Sequence, residues 1–127
     1  MNVEWSREFD RQLDRMESDD SDRGRQVLQL LAFMLGRLRA LDDEPAEESA
    51  MFKRVRQSGR FGVWRVSHPY REGVALRLIC WFPPGEDRIV VTLFAGEKAR
   101  MGDVFYDSVG ARADRIIELW LMENEDR

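Results

Sequence analysis

Several residue types are scarce in this 127-residue chain, and their scarcity excludes some classes of protein. One cysteine and one histidine cannot supply a disulfide framework or a zinc site built from Cys and His. No apolar run approaches the roughly 20 residues that a membrane-spanning helix requires, and the N-terminal residues do not form a charged-then-apolar leader. We therefore expect a cytoplasmic protein with no membrane partner. Cys80 lies inside an apolar run, so we expect a buried thiol in a reducing compartment.

The composition is that of one globular domain spanning residues 1–127, with 43% hydrophobic and 35% charged residues. The net charge of −4 hides an uneven distribution. Residues 53–100 carry 10 basic and 4 acidic groups, whereas residues 1–52 carry 7 and 13. The basic middle of the chain suits a polyanionic partner. It equally suits basic strands and acidic helices that attract each other within one fold.

Helical spacing of apolar residues marks two helices in the first third of the chain. Ser6 is a suitable N-cap for a helix over residues 7–17, and the acidic run at residues 18–22 stops that helix and caps the next. A wide apolar face predicts a second helix over residues 23–41. The two helices should form a hairpin that covers a sheet.

Alternating and β-branched segments predict the strands of that sheet. Residues 2–5 suit a short edge strand, and residues 63–68, 74–82 and 89–95 suit three consecutive strands. Turns too short for a crossover make these three an antiparallel meander. A last helix is expected from Asp107. The predicted fold is thus α+β: a small antiparallel sheet in β-α-α-β-β-β-α order, with the helical hairpin packed on one face and a C-terminal helix.

Cations converge on this predicted sheet. Arg65 and Arg77 interrupt otherwise apolar or small strand residues, and antiparallel pairing of adjacent strands can set both on one face. Lys98 and Arg100 follow the last strand, and Tyr106 stands near the start of the final helix. Cations and a phenol with few acidic neighbours can stabilise an anion whose charge is delocalised over several oxygens, such as the pentacoordinate state of a phosphodiester. We expect neither a metal nor another cofactor. Surface lysines and arginines that are merely solvated are the alternative interpretation of the same residues.

The order of elements and several short motifs resemble the RelE/ParE superfamily of bacterial toxins from toxin–antitoxin pairs, including its HigB-like members. The resemblance covers nearly the whole chain. It is carried by Val3-Glu4-Trp5 before Phe9, Val63-Trp64-Arg65-Val66 before Leu76-Arg77-Leu78, Leu93-Phe94-Ala95-Gly96 before Lys98-x-Arg100, and Arg100-x5-Tyr106.

What the resemblance implies is a metal-independent endoribonuclease that cuts messenger RNA in the ribosome and halts translation. It implies that Arg77 binds the phosphate, that Arg100 stabilises transition-state charge or protonates the leaving group, and that Tyr106 orients or deprotonates the nucleophile. Residues implied in RNA binding or supporting roles are Arg65, His68, Lys98, Lys53, Arg54 and Arg56. The implied partners are messenger RNA, the ribosome and a cognate antitoxin with a helix-turn-helix, joined in a toxin–antitoxin hetero-oligomer.

The chain departs from the family pattern where proton transfer is concerned. The strand lysines of the best-known nucleases are replaced by Val63 and Arg65, and arginine binds phosphate but makes a poor base. His68 is the residue type most often used as a general base, although a lone histidine beside Pro69 is more often structural. Two other functions stay open: a ParE-like toxin acting on DNA gyrase, and a non-catalytic RNA- or protein-binding module with Trp64 as an exposed stacking platform.

Overall fold

Strands and helices follow one another in the computed structural model, which describes residues 1–56, 59–68, 75–86 and 88–125, and within 98–107 the helix without its side chains. The elements in chain order are β1 (Asn2–Trp5), α1 (Arg7–Glu17), α2 (Asp22–Arg39), β2 (Phe52–Arg54), β3 (Val63–Ser67), β4 (Leu76–Trp81), β5 (Ile89–Glu97) and α3 (Lys98–Glu123). The α+β class and the order of the predicted elements are confirmed.

The strands form one sheet in the order β1-β5-β4-β3-β2. The predicted meander of β3, β4 and β5 is antiparallel, and β2 extends it by one strand that the sequence did not predict. β1 lies at the other edge and pairs parallel with β5, from Asn2 opposite Ile89 to Trp5 opposite Thr92. The sheet is therefore mixed, because the helical hairpin carries the chain from β1 across the sheet before the meander begins.

Serine caps set the start of both hairpin helices. The Ser6 hydroxyl accepts the Phe9 N–H at 3.0 Å, as predicted, and also donates to the Leu93 carbonyl at 2.7 Å. Ser21 caps α2 by accepting the Gly24 N–H at 3.0 Å. At Gly24 a Cβ atom would lie 2.5 Å from Asp19 Cγ, so only glycine fits this close approach of the connecting turn. Each cap satisfies a backbone donor that the first helical turn leaves unpaired.

The sheet separates two apolar cores. On the face toward α1 and α2, the hairpin face, the buried residues include Phe9, Leu31, Met34, Leu38, Trp64, Val66, Leu76, Leu78 and Cys80. On the opposite face, the α3 face, they include Val63, Ile79, Trp81, Leu93, Phe94, Ala113, Ile117 and Trp120. The prediction of a core cysteine is confirmed, and burial raises the pKa of the Cys80 thiol.

A bulge in β5 changes which of its residues face α3. Ile79 pairs with Phe94 and Cys80 pairs with Thr92, so Leu93 is the extra residue. Leu93 and Phe94, although consecutive, both pack in the core under α3. The shift also sets Gly96 opposite Arg77 at the end of the strand.

The final helix begins earlier than the sequence predicted. The expected start was Asp107, but α3 begins at Lys98, directly after β5. Met101, Phe105 and Val109 follow one another at four-residue spacing, which continues the helical period across the glycine at position 102. Lys98, Arg100 and Tyr106 are thus residues of α3 and not of a loop.

Candidate nucleic-acid interface

Three cations of the predicted site lie side by side across three strands. Lys53 of β2 is the cross-strand partner of Arg65 in β3. Arg65 pairs with Ile79 in β4, two residues from Arg77, so the two arginines are diagonal neighbours. Strand alternation sets all three on the α3 face, which is the face of Val63 and Ile79. We call Lys53, Arg65 and Arg77 the basic row. The prediction that Arg65 and Arg77 share a face is confirmed by this register.

Arg77 is held between small neighbours. Its cross-strand partner in β3 is Ser67, and its partner in β5 is Gly96. Directly paired residues in antiparallel strands have Cβ atoms about 4.5–5.5 Å apart, and neither a hydroxymethyl group nor a hydrogen atom reaches over the guanidinium. Neither of these two paired residues therefore blocks a ligand from the Arg77 guanidinium. Ser67 was not predicted as a site residue, because only the β3–β4 register shows that it faces Arg77.

The hydrogen bonds of Arg77 use little of its guanidinium. The side chain is half-buried, and Nη1 donates to the adjacent Leu76 carbonyl at 3.2 Å. Nε is buried and has no hydrogen-bond partner among the described residues, and none of their carboxylates forms an ion pair with this arginine. A buried donor without an acceptor costs about 1–3 kcal/mol. An anion that accepts from Nε and the second Nη would remove that cost and match the planar fork of the side chain.

The other two basic residues near β2 lie apart from the basic row. Arg54 is on the hairpin face, where its guanidinium carbon lies 4.5 Å from the centroid of the Trp64 ring. Arg56 pairs with Glu48 at 3.4 Å. The structure therefore brings together Lys53, Arg65 and Arg77 from the predicted set, and it engages Arg54 and Arg56 in local contacts.

Trp64 is not a stacking platform, and the prediction that it is exposed is wrong. Its side chain is fully buried, and its indole N–H donates to Glu44 Oε1 at 3.0 Å. The physical reason is strand alternation beneath the helical hairpin: Trp64 shares the hairpin face with Val66, in the larger apolar core. A bare alternating pattern in the sequence does not reveal which of its two faces meets solvent.

His68 is buried just after β3 and contributes to the sheet. Its Nε2 accepts the backbone N–H of Leu76 at 3.0 Å, in place of a strand carbonyl. That nitrogen cannot take a proton from a nucleophile while the hydrogen bond persists. The contact does fix the start of β4, one residue before Arg77, so His68 acts on the basic row through the backbone.

The remaining predicted site residues are Lys98, Arg100 and Tyr106. Their side chains lie outside the described residues, as does the predicted turn at residues 69–73. The backbone of α3 starts at Lys98, two residues after the Gly96 that pairs with Arg77. The helix that carries all three residues therefore begins beside the Arg77 end of the basic row.

Neither a metal site nor a membrane span is found in the described part of the chain. No group of three His, Cys, Asp or Glu side chains in this part could hold a metal ion. None of its helices combines the length and apolar character needed to cross a bilayer. In comparisons with known proteins, no family model and no curated protein matches the chain.

Proposed function

We propose that this protein is the toxin of a toxin–antitoxin pair and that it cleaves messenger RNA on the ribosome without a metal. The observation that carries the proposal is Arg77: a half-buried guanidinium with a buried, unused Nε, no carboxylate partner in the described chain, and small residues on both sides. Arg65 and Lys53 extend the positive charge across the neighbouring strands. Such a row suits a phosphodiester backbone more than a neutral ligand.

The proposed reaction is attack of a ribose 2′-hydroxyl on the adjacent phosphate. The 2′-oxygen forms a bond to phosphorus while the bond to the 5′-oxygen breaks, the 2′-hydroxyl proton passes to a base, and the 5′-oxygen receives a proton. Arg77 binds the phosphate oxygens and stabilises the charge that grows on them. Arg100 assists the leaving group, and Tyr106 orients or deprotonates the nucleophile. The burial of His68 and its bond to Leu76 favour a positioning role for that residue.

The proposed partners follow from the same charge distribution. An antitoxin with a helix-turn-helix would neutralise the toxin by laying an acidic segment over the basic row, in a hetero-oligomer formed in the cytoplasm. Occupation of Arg77 by a carboxylate would exclude the phosphate directly, since both ligands use the same donors. Association should slow as salt rises, because opposite fields steer the encounter.

Induction of the chain alone in a bacterial host tests the proposal. Pulse labelling should show that protein synthesis falls before DNA synthesis, and Arg77→Ala should abolish this effect. Arg37→Ala is the matched control, because Arg37 is an exposed arginine on α2, which packs on the face of the sheet opposite to the basic row. If DNA synthesis stops first while translation continues, a gyrase-directed toxin replaces the nuclease. If neither process changes, the toxin proposal fails.

A further inference from the structure

A second surface, separate from the basic row, lies where the start of α1 meets the C-terminal half of α3. A cavity of about 270 Å³ opens there between the two helices. Its lining consists of Ser6, Arg7, Glu8, Arg11, Ile116, Leu119, Trp120 and Glu123. We call this the α1–α3 cleft. None of its lining residues belongs to the basic row, so a role for this cleft does not depend on the proposed function.

Exposed apolar side chains stand on α3 at one side of this cleft. Leu119 is 58% exposed and Met122 is 68% exposed. They stand three residues apart on α3, and Arg115 precedes Leu119 by four, so the three share one side of the helix. Ile116 and Trp120 line the cleft from below. Adjacent exposed apolar side chains beside a cleft mark an interaction site more often than scattered ones do.

The cleft lining holds two arginines and two glutamates, and one of these arginines, Arg11, has no carboxylate partner among the described residues. Its two carboxylates are already engaged by arginines: Glu8 pairs with Arg112 at 2.8 Å, and Glu123 with Arg7 at 3.0 Å. Arg11 in the cleft wall and Arg115 on the α3 stripe are exposed and form no ion pair with any described residue. Arg11 on the α1 wall and Arg115, one turn before Leu119 on the same stripe, therefore border this apolar surface without a carboxylate partner among the described residues.

We propose that the α1–α3 cleft docks an amphipathic helix of a partner protein whose polar sides are acidic. The apolar stripe of such a helix would cover Leu119 and Met122 and insert a side chain over Ile116 and Trp120. Glutamate or aspartate beside the stripe would reach Arg11 across the cleft and Arg115 one turn before Leu119. Helices pack in this way through apolar residues at positions i, i+3, i+4 and i+7, with flanking charges that select the partner.

Fluorescence anisotropy with a synthetic probe tests the inference on the full chain. The probe is a labelled, stapled helix with leucine at i, i+3, i+4 and i+7 and glutamate at the flanking positions, and the control helix has lysine in place of each glutamate. The acidic helix should bind, and its affinity should fall as salt rises. The lysine helix should bind at least about tenfold more weakly, because it meets Arg11 and Arg115 with like charge.

Variants assign the binding to the cleft. Leu119→Asp should weaken the acidic helix at least about tenfold, and Arg11→Glu or Arg115→Glu about threefold or more. Phe33→Asp and Arg37→Glu are matched controls on α2, where Phe33 is 49% exposed and Arg37 is exposed. These controls should leave the affinity within about twofold of the wild type. All five positions are exposed, so circular dichroism melts should confirm that each variant folds.

Three outcomes would overturn the inference. The acidic helix does not bind, or its binding is unchanged by Leu119→Asp, or the lysine helix binds equally well. A fourth result also opposes it: light scattering that shows a dimer of the chain, lost in Leu119→Asp, would make a second copy the occupant of the cleft.

Discussion

A hydrogen bond between the imidazole of His68 and the backbone of Leu76 extends the pairing of β3 and β4. Nε2 accepts the Leu76 N–H at 3.0 Å, just beyond the last regular pair of the two strands. Both residues are buried. His68→Ala should therefore lower the free energy of unfolding by about 1–3 kcal/mol, because it leaves a buried donor unsatisfied. Urea denaturation followed by circular dichroism measures the loss.

A functional readout separates this positioning role from a direct role in chemistry. His68→Gln keeps a side-chain acceptor and should recover part of the stability and, with it, RNA cleavage by the folded protein. If His68→Ala is as stable as the wild type but inactive, the residue acts on the substrate and the positioning role is wrong.

Gln12 protects the edge of β5 where β1 ends. Its amide donates to the Ala95 carbonyl at 2.9 Å and accepts the Ala95 N–H at 2.8 Å, in the manner of a neighbouring strand. Gln12→Ala should reduce the free energy of unfolding by about 1–3 kcal/mol, since two partly buried backbone groups lose their partner. Gln26→Ala, at an exposed position on α2, is the control and should change it by less than about 0.5 kcal/mol. Equal melting curves for the two variants would contradict this assignment.

Arg77→Ala should remove activity without unfolding the protein. Among the described residues, the side chain makes one hydrogen bond, at 3.2 Å, so we expect a change of less than about 1 kcal/mol in unfolding free energy. Single-turnover cleavage of messenger RNA on programmed ribosomes should slow by about 10²–10³, the loss typical of one preorganised donor. Arg77→Lys keeps the charge but not the planar fork of donors, so its cleavage rate should lie between those of the wild type and Arg77→Ala. Unimpaired cleavage by Arg77→Ala would remove this residue from the site.

Arg100 and Tyr106 should act on the same step as Arg77. Arg100→Ala should cost about 2.7–4 kcal/mol of barrier lowering, and Tyr106→Phe removes only the hydroxyl. The double variants with Arg77→Ala should lose less than the sum of the single losses, because groups that serve one step fail together. Thermal melting is the folding control. If both Arg100→Ala and Tyr106→Phe cleave messenger RNA at the wild-type rate, the proposed site is wrong.

Acid should loosen the β2 edge of the sheet through Glu48. The Arg54 N–H donates to Glu48 Oε1 at 2.9 Å, and this bond, aided by the charges of Arg56 and Lys53, holds the pKa of Glu48 below its ordinary value of 4.5. A carboxylate with a lowered folded-state pKa contributes stability above its unfolded pKa and loses it as the pH falls through the folded value. Protection of the Arg54 amide from hydrogen exchange should therefore fall as the pH drops from the unfolded-state pKa of Glu48 through its lower folded-state pKa.

Paired variants isolate the carboxylate responsible. Glu48→Gln should already show the lower Arg54 protection at neutral pH and little further loss in acid. Glu47→Gln, at an exposed neighbouring position, should behave like the wild type. A wild-type pH profile in Glu48→Gln would mean that another group controls this edge.

Local signals in the sequence were sufficient for the helices of the hairpin and for the meander. Ser6 before an apolar 3.6-residue period predicted α1, alternation around Arg65 predicted β3, and an apolar segment interrupted by Arg77 predicted β4. These elements are recognisable because capping and amphipathic periods act over a few residues. β2 is three residues long, too short for a periodic signal, and Gly102, a residue type that is unfavourable inside helices, obscures the early start of α3.

Only the tertiary structure decided what surrounds Arg77. The sequence by itself determined that Arg65 and Arg77 occupy strands and that the middle of the chain is basic. It did not determine that Ser67 and Gly96 flank Arg77, because cross-strand register depends on the bulge at Leu93 and on pairing between distant segments. Likewise, the burial of Trp64 follows from which sheet face the helical hairpin covers. Register and face are properties of packing between elements, and no short stretch of sequence carries them.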